Sequence, residues 1–247
     1  MAHFYIDNQR FTEEHPLWPK TKSGKPSKRP TLEQIEQAGA CVGVTDSIKM
    51  VENTGWMPKY FGDLGISAGL LCNSYDNAKE LFDQTSVEAA ERGTEFHDAI
   101  ERYLWQGVEP DDSIILNACR GIDEFMFAHE ILPDECSFEH CITHDMLTYS
   151  GMIVSYGGTM DLCSDKFIVD WKTVNKPRKP YKKELLQLVA YSKGDIDKRM
   201  INLYIDSGTG MVINEYEWSM EQKQFGWRLF QDVMMMNKRL RALDKMI

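Results

Sequence analysis

Three residues carry the first chemical signal. Asp161 closes the run Gly157-Gly158-Thr159-Met160-Asp161-Leu162, and Asp170 and Lys172 lie in Phe167-Ile168-Val169-Asp170-Trp171-Lys172-Thr173. Both runs read as strands, and Ser164-Asp165-Lys166 between them makes a hairpin. Side chains alternate faces along a strand. Asp170 and Lys172 therefore share a face, Trp171 takes the other, and Asp161 can approach Asp170 from the neighbouring strand. Two carboxylates held that close repel unless a cation sits between them, and a hard divalent ion is the natural partner. Such an ion acidifies a water and stabilises charge on a phosphoryl oxygen. A nearby ammonium orients the water and stabilises the developing charge. Two carboxylates and a lysine therefore suit phosphodiester hydrolysis. Asp-x-Lys alone is equally the mark of an edge-strand ion pair, so the surrounding residues decide.

Two helical patterns flank the pair. In Glu91-Arg92-Gly93-Thr94-Glu95-Phe96-His97, Gly93 permits close backbone approach, and Gly93, His97 and Glu101 share one face. Gln187 and Tyr191 share a face of a second helix. Taken singly, these are an ordinary packed histidine and an ordinary polar face. Lys176, Arg178, Lys179, Lys182 and Lys183 precede the second helix, and a basic run beside a metal site suits a polyanion.

The elements that must hold these groups follow from periodicity. Residues 1–30 are polar, with four prolines, and read as a basic arm with a short strand near Phe4–Ile6. Residues 31–133 are mainly helical. Within them 31–90 is a helical stretch interrupted by glycines, and 87–106 is a helix with Phe96, Ile100, Tyr103 and Leu104 at helical spacing and Gly107 to close it. Residues 113–130 form another, with Ile115, Cys119, Ile122, Phe125 and Met126 on its apolar side. After Pro133 come strands at Ser137–Thr143, Leu147–Tyr156, Thr159–Cys163 and Phe167–Thr173, with Gly157-Gly158 as a turn or bulge. Lys182–Ser192 is a helix. Ile201–Asp206 and Met211–Trp218 are strands around the turn Ser207-Gly208-Thr209-Gly210. Residues 220–242 form a last helix, with Phe225, Leu229, Val233, Met236 and Leu240 in register and Met234-Met235-Met236 as core filling. The expectation is an α/β (α+β) fold with a mixed sheet flanked by helices. Residues 31–247 make one domain behind the 1–30 arm, with the core sheet and Gln/Tyr helix in 134–220 and a terminal helix in 221–247.

The chain has 28 basic and 38 acidic residues, a net charge of −10, which taken alone argues against nucleic acid. Its distribution reverses that. Residues 76–145 hold 18 acids and 4 bases, whereas 165–200 hold 10 bases and 5 acids, and 20–30 hold five bases and no acid. No apolar run approaches the ~18 residues of a membrane span. The first residues lack a secretory pattern. The cysteines at 41, 72, 119, 136, 141 and 163 make no C-x-x-C pair, so free thiols in a cytoplasm are expected.

Read in order, G-T-x-x-H (Gly93 to His97), G-x-x-D (Gly158 to Asp161), D-W-K-T (Asp170 to Thr173) and Q-x-x-x-Y (Gln187 to Tyr191) resemble the RecB-like branch of the PD-(D/E)XK nuclease superfamily. Phage, mitochondrial genome-maintenance and CRISPR-adaptation nucleases are its members. The likeness runs from Arg92 to Tyr191. It implies a core of helix, three-stranded meander, helix and strand. It implies that Asp161 and Asp170 bind metal, with the Trp171 carbonyl and His97 as further ligands and Glu139 as a weaker match. It implies Lys172 as the catalytic lysine, with Gln187 and Tyr191 positioning active-site groups or DNA. One or two Mg²⁺ or Mn²⁺ ions are the implied cofactor, and an imidazole ligand favours Mn²⁺ at least equally. Met160 replaces the superfamily's proline, and Asp170 stands where many members have Glu. No cysteine follows Cys163, so the branch's iron–sulfur cluster is not expected.

The implied activity is an exonuclease acting on single- or double-stranded DNA ends in recombination, repair or replication. That suits a phage-encoded enzyme in its host's cytoplasm and a separate recombination or single-strand-annealing partner. Arg178, Lys179, Lys182, Lys183, Lys25, Lys28 and Arg29 would grip phosphates, and Trp18 or Tyr181 would stack on bases. Three rivals stand beside this reading. They are a site-specific endonuclease, a silent DNA-binding or assembly module with the same fold, and a zinc site at Cys136, His140, Cys141 and His144.

Overall fold

The computed structural model describes residues 3–21, 23–28, 30–49, 75–244 and 246. Arg29, Cys72 and the helical expectation over 51–74 lie outside them. The N-terminal residues pack as a small sheet rather than extending as an arm. Strands β1 (Phe4–Ile6) and β2 (Gln9–Phe11) join through Asp7 and Asn8, both at positive φ (48° and 60°), as a two-residue primed hairpin turn requires. After helix α1 (Leu32–Gln37), strand β3 (Cys41–Val42) pairs with the other edge of β1. Thr31 and Gln34 exchange side-chain to backbone hydrogen bonds and start α1 as a capping box. A single turn, α2 (Val44–Ser47), follows. The strand expected at Phe4–Ile6 is present, but these residues are not a free arm, because Phe11, Ile6 and Ile35 supply a small apolar core of their own.

Two long helices come next. Helix α3 (Tyr75–Gln106) starts well before the expected residue 87 and ends at Gly107, whose φ of 68° few other residues adopt. Asp112 caps α4 (Ser113–Ala128) by accepting from the Ile114 and Ile115 amides. A 3₁₀ turn at Pro133–Glu135 leads into β4 (Ser137–Leu147), β5 (Ile153–Cys163) and β6 (Phe167–Val174). Helix α5 (Lys182–Tyr191), β7 (Arg199–Asp206), β8 (Val212–Glu217) and α6 (Met220–Asp244) complete the chain. The sheet runs β4-β5-β6-β7-β8, with β6 and β7 parallel and the other neighbours antiparallel. The fold is α+β, a five-stranded mixed sheet with helices on both faces.

Each face has its own core. On one, Phe96, Ile100, Ile115, Cys119, Ile122 and Phe125 of α3 and α4 bury against Leu162, Val169, Trp171 and Leu203. On the other, Leu186, Val189, Phe230 and Val233 of α5 and α6 bury against Ile142, Tyr156, Ile168 and Met200.

Three expectations are corrected. Gly157-Gly158 is not a turn; it lies inside β5 because neighbours come too close for a side chain. A Cβ on Gly157 would sit 2.4 Å from Tyr5 Cβ, and one on Gly158 2.4 Å from the Tyr191 ring. The β4–β5 turn is instead near Gly151 (φ 78°), so Leu147 belongs to β4. On α6, Phe225, Met236 and Leu240 face solvent, while Phe230, Val233, Met234 and Met235 are buried. Only part of the methionine run fills the core. The apolar residues of α6 outnumber one face, so periodicity alone misplaced its seam.

Candidate metal centre

The candidate site sits where the sheet stops being regular. Pairing of β5 with β6 ends at Leu162–Val169. Beyond it Asp161 Oδ2 accepts the Trp171 N–H at 2.8 Å, so a carboxylate stands in for a ladder carbonyl and the strands part. A strand residue's N–H and C=O lie on the same edge, so the Trp171 carbonyl faces this gap too. On β4 the ladder skips between Phe138–Leu162 and His140–Met160. Glu139, at the skip, has φ 44°, a left-handed backbone that costs about 1–2 kcal/mol outside glycine. At the same level β5 changes face. Met160 packs with α5 and α6, and Leu162 with α3 and α4, which strict alternation forbids. Four local departures from β geometry thus coincide at Glu139 and Asp161.

Helix α3 supplies the third group. Phe96 and Ile100 are fully buried and fix its rotation, and the His97 ring lies 6.0 Å from that of Trp171. His97 Nδ1 is 3.3 Å from Asp161 Oδ1 and 3.5 Å from Glu139 Oε1. The second contact is too poorly placed to count as a hydrogen bond, so Glu139 Oε1 is buried without a hydrogen-bond partner. One ligand atom each from His97, Glu139 and Asp161 falls within 4.8 Å of the others. Burial works against the charged form of His97, but Asp161 and Glu139 outweigh it and hold the imidazole up to about 10. In the metal-free protein the cation between these carboxylates is therefore a proton on His97. Burial, with Glu139 and Asp98, also raises the Glu101 carboxyl one turn along α3.

The second half of the site is a connected chain of hydrogen bonds. Both Asp170 oxygens lie 2.8 Å from Lys172 Nζ, and Asn202 Nδ2 donates to Oδ2 at 2.9 Å. Lys172 Nζ is 3.4 Å from Gln187 Oε1, and Gln187 Nε2 donates to Tyr191 Oη at 2.8 Å. Gly158 is what lets the Tyr191 ring lie against β5, so the glycine of one motif seats the tyrosine of another. Burial raises the Asp170 carboxyl, with Lys172 opposing it and Asp161 adding to it. Burial lowers Lys172, but Asp170 and Asp161 outweigh it and keep the ammonium charged. Burial, with the Asp170 and Asp161 charges adding to it, pushes the Tyr191 phenol well up.

Helix α5, which carries Gln187 and Tyr191, is fixed from below by Glu184. That buried carboxylate accepts from Arg178, from Tyr204 Oη at 2.7 Å and from the Tyr181 amide at 2.8 Å. Arg178 also stacks on the Tyr181 and Tyr204 rings, at 3.9 and 4.9 Å. Its guanidinium is thus built into the scaffold, unlike the exposed Lys179 and Lys182. Lys25 and Lys28 are exposed as well. Trp18, expected as a stacking residue, packs on Phe11 and donates to the Ser27 carbonyl. Tyr181 is half exposed. Gly93 was expected to permit close approach, but a Cβ there would meet only Thr173 Oγ1, at an ordinary 3.5 Å.

The structure brings together His97, Asp161, Asp170, Lys172, Gln187, Tyr191 and the Trp171 edge. Glu139, the weaker expectation, lies within the donor cluster, while Asp170 is turned to Lys172 and Asn202. Cys136, His140, Cys141 and His144 do not converge. Among the described residues, the ligand atoms that gather are those of His97, Glu139 and Asp161. Sequence reasoning missed Asn202, Trp218 and Glu184. The signal for Asn202 was present as a lone amide in the apolar run Met200-Ile201-Asn202-Leu203-Tyr204-Ile205.

No protein-family profile and no curated protein matches the chain. Among solved structures, the crystal structure of SSO0001 matches over 79% of this chain and 76% of its own, at 15% identity and a TM-score of 0.37. That likeness is too slight to bear on fold or function.

Proposed function

We propose that this chain is a metal-dependent deoxyribonuclease that degrades DNA from its ends. The observation that carries the reading is the buried Glu139 oxygen, without a hydrogen-bond partner, beside Asp161 and 3.5 Å from the His97 ring nitrogen. Nitrogen and oxygen donors that converge about a carboxylate oxygen without a hydrogen bond fit Mg²⁺ or Mn²⁺, with the imidazole favouring Mn²⁺. His97, Glu139 and Asp161 would hold the ion, with the Trp171 carbonyl and Asp170 on its border. A divalent ion held there would polarise a phosphoryl oxygen and acidify a water.

The chain's own groups do the rest. Lys172 stays charged beside Asp170, so it acts as a fixed ammonium and not as a base. It orients the water and stabilises negative charge on the phosphate. Gln187 restrains the lysine, and Tyr191 restrains Gln187. The exposed Lys179 and Lys182, just before and at the start of α5, contact backbone phosphates.

The test is degradation of end-labelled linear single- and double-stranded DNA with Mn²⁺, Mg²⁺ or EDTA, beside Lys172→Ala. Metal-dependent loss of label in the wild type, absent from the variant, supports the reading. Cleavage of a circular single strand at the same rate would replace the exonuclease by an endonuclease. DNA binding without cleavage would replace it by the silent module.

A further inference from the structure

Asp170 is held from behind by a buried pair that the nuclease reading does not use. Asn202 is fully buried on β7, directly across the parallel ladder from Asp170. Its Nδ2 donates to Asp170 Oδ2 at 2.9 Å and lies 3.4 Å from the Asp170 carbonyl. Its Oδ1 accepts the Trp218 indole N–H at 2.8 Å. An indole nitrogen only donates. Trp218 therefore forces the amide oxygen towards itself and the amide nitrogen towards the carboxylate, and the chemistry of the partners fixes the amide's orientation. Trp218 is itself buried, with its backbone amide bonded to the Met200 carbonyl.

The consequence falls on Asp170. A carboxylate oxygen accepts about two hydrogen bonds. Asn202 donates to Oδ2 and Lys172 donates to Oδ1, with the ammonium also 2.8 Å from Oδ2. We infer that Trp218 and Asn202 form a positioning relay. It holds Asp170 Oδ2 from behind and so fixes the rotation of the carboxylate relative to a divalent cation in the neighbouring donor cluster. The inference rests on the metal-dependent reading of the site. Neither residue touches substrate; both act through Asp170.

The test compares Trp218→Phe, which keeps a ring but removes the N–H, with Asn202→Leu and the double variant. Mn²⁺ affinity is read by titration calorimetry and DNA cleavage by kcat and KM, with unfolding as a control. Each single variant should weaken Mn²⁺ binding and lower kcat by about 10- to 100-fold, what a hydrogen bond to a charged group is worth, with KM for DNA unchanged. Because Trp218 works only through the amide, Trp218→Phe should have no further effect on Mn²⁺ affinity or kcat in the Asn202→Leu background. Folded single variants with wild-type Mn²⁺ affinity and kcat would overturn the relay while leaving the nuclease intact, as would full additivity in the double variant. A wild-type protein that binds no Mn²⁺ would overturn both, and wild-type Mn²⁺ binding without cleavage would overturn the nuclease alone.

Discussion

The two halves of the site are built on opposite rules. Around His97, Glu139 and Asp161, the backbone is distorted, one buried oxygen has no hydrogen-bond partner, and a proton on His97 is what keeps two carboxylates together. Around Asp170, Lys172, Gln187 and Tyr191, polar atoms meet partners in a continuous chain that ends on a ring packed against Gly158. The first half has donor capacity left over and the second has almost none. A surface patch of acids would be expected to repel and solvate; a structural network would be expected to close. An incomplete half beside a complete one is what a cation site with a rigid charged neighbour needs.

The contrast is broken most sharply by removing one member from each half. Asp161→Ala should abolish both Mn²⁺ binding and cleavage. It should also destabilise the fold by about 1–3 kcal/mol, because the buried Trp171 N–H loses its acceptor. Lys172→Ala should lower cleavage by at least about 10²–10³-fold while Mn²⁺ binding survives. Calorimetry and denaturant titration on the two proteins check this. Equal Mn²⁺ affinities in both variants would dissolve the distinction between the halves.

Gly158→Ala addresses the complete half. Its Cβ would fall 2.4 Å from the Tyr191 ring, which cannot yield without moving α5. A loss of about 1–3 kcal/mol is expected from such overpacking, with cleavage falling alongside. Tyr191→Phe keeps the ring, so it should retain stability far better and lose rate only through Gln187. Thermal melts of both variants with activity assays separate seat from hydroxyl.

Much of this was legible beforehand, and what was not has a physical reason. Asp161, Asp170 and Lys172 followed from strand alternation and a short turn, and Gln187 and Tyr191 from helical spacing. Glu139 was only a weak expectation. Its importance comes from a left-handed backbone and a ladder skip, and nothing local in Phe138-Glu139-His140 announces either. Gly157 and Gly158 were read as a turn or bulge because glycine usually marks a break. Their real cause is the approach of Tyr5, 152 positions away from Gly157, and of Tyr191. The 176–183 segment was legible as basic, but charge counting cannot tell Arg178, bound to buried Glu184, from Lys179 and Lys182 in solvent.

The incomplete half also predicts a pH dependence of definite sign. The folded-state pKa of His97 is raised from 6.5 to about 10. In EDTA, the protonated ring therefore contributes stability that is full below pH 6.5 and is lost as pH rises through about 10. Melting temperature in EDTA should fall across that window, and less steeply in His97→Gln. Mn²⁺ affinity should move the other way, because the ligand is the neutral ring and each bound ion displaces a proton. An Mn²⁺ affinity that stays flat from pH 6.5 to 9 would remove His97 from the ligand set.

The smallest expected change in DNA binding separates scaffold from substrate contact among the basic residues before and at the start of α5. Exposed lysines that touch phosphates each release counterions, so Lys179→Ala and Lys182→Ala should each flatten the salt dependence of DNA binding by about 0.7–0.9 in slope, with stability unchanged. Arg178→Ala should behave oppositely. Removing it leaves the Glu184 carboxylate buried with only Tyr204 Oη and the Tyr181 amide, a loss of about 3–5 kcal/mol for a broken buried pair. Its salt slope should match the wild type wherever enough folded protein remains. Fluorescence anisotropy across a salt series, paired with denaturant titration, reads both quantities. If Arg178→Ala flattens the slope while remaining as stable as wild type, the guanidinium is a phosphate contact and the anchoring of α5 needs another source.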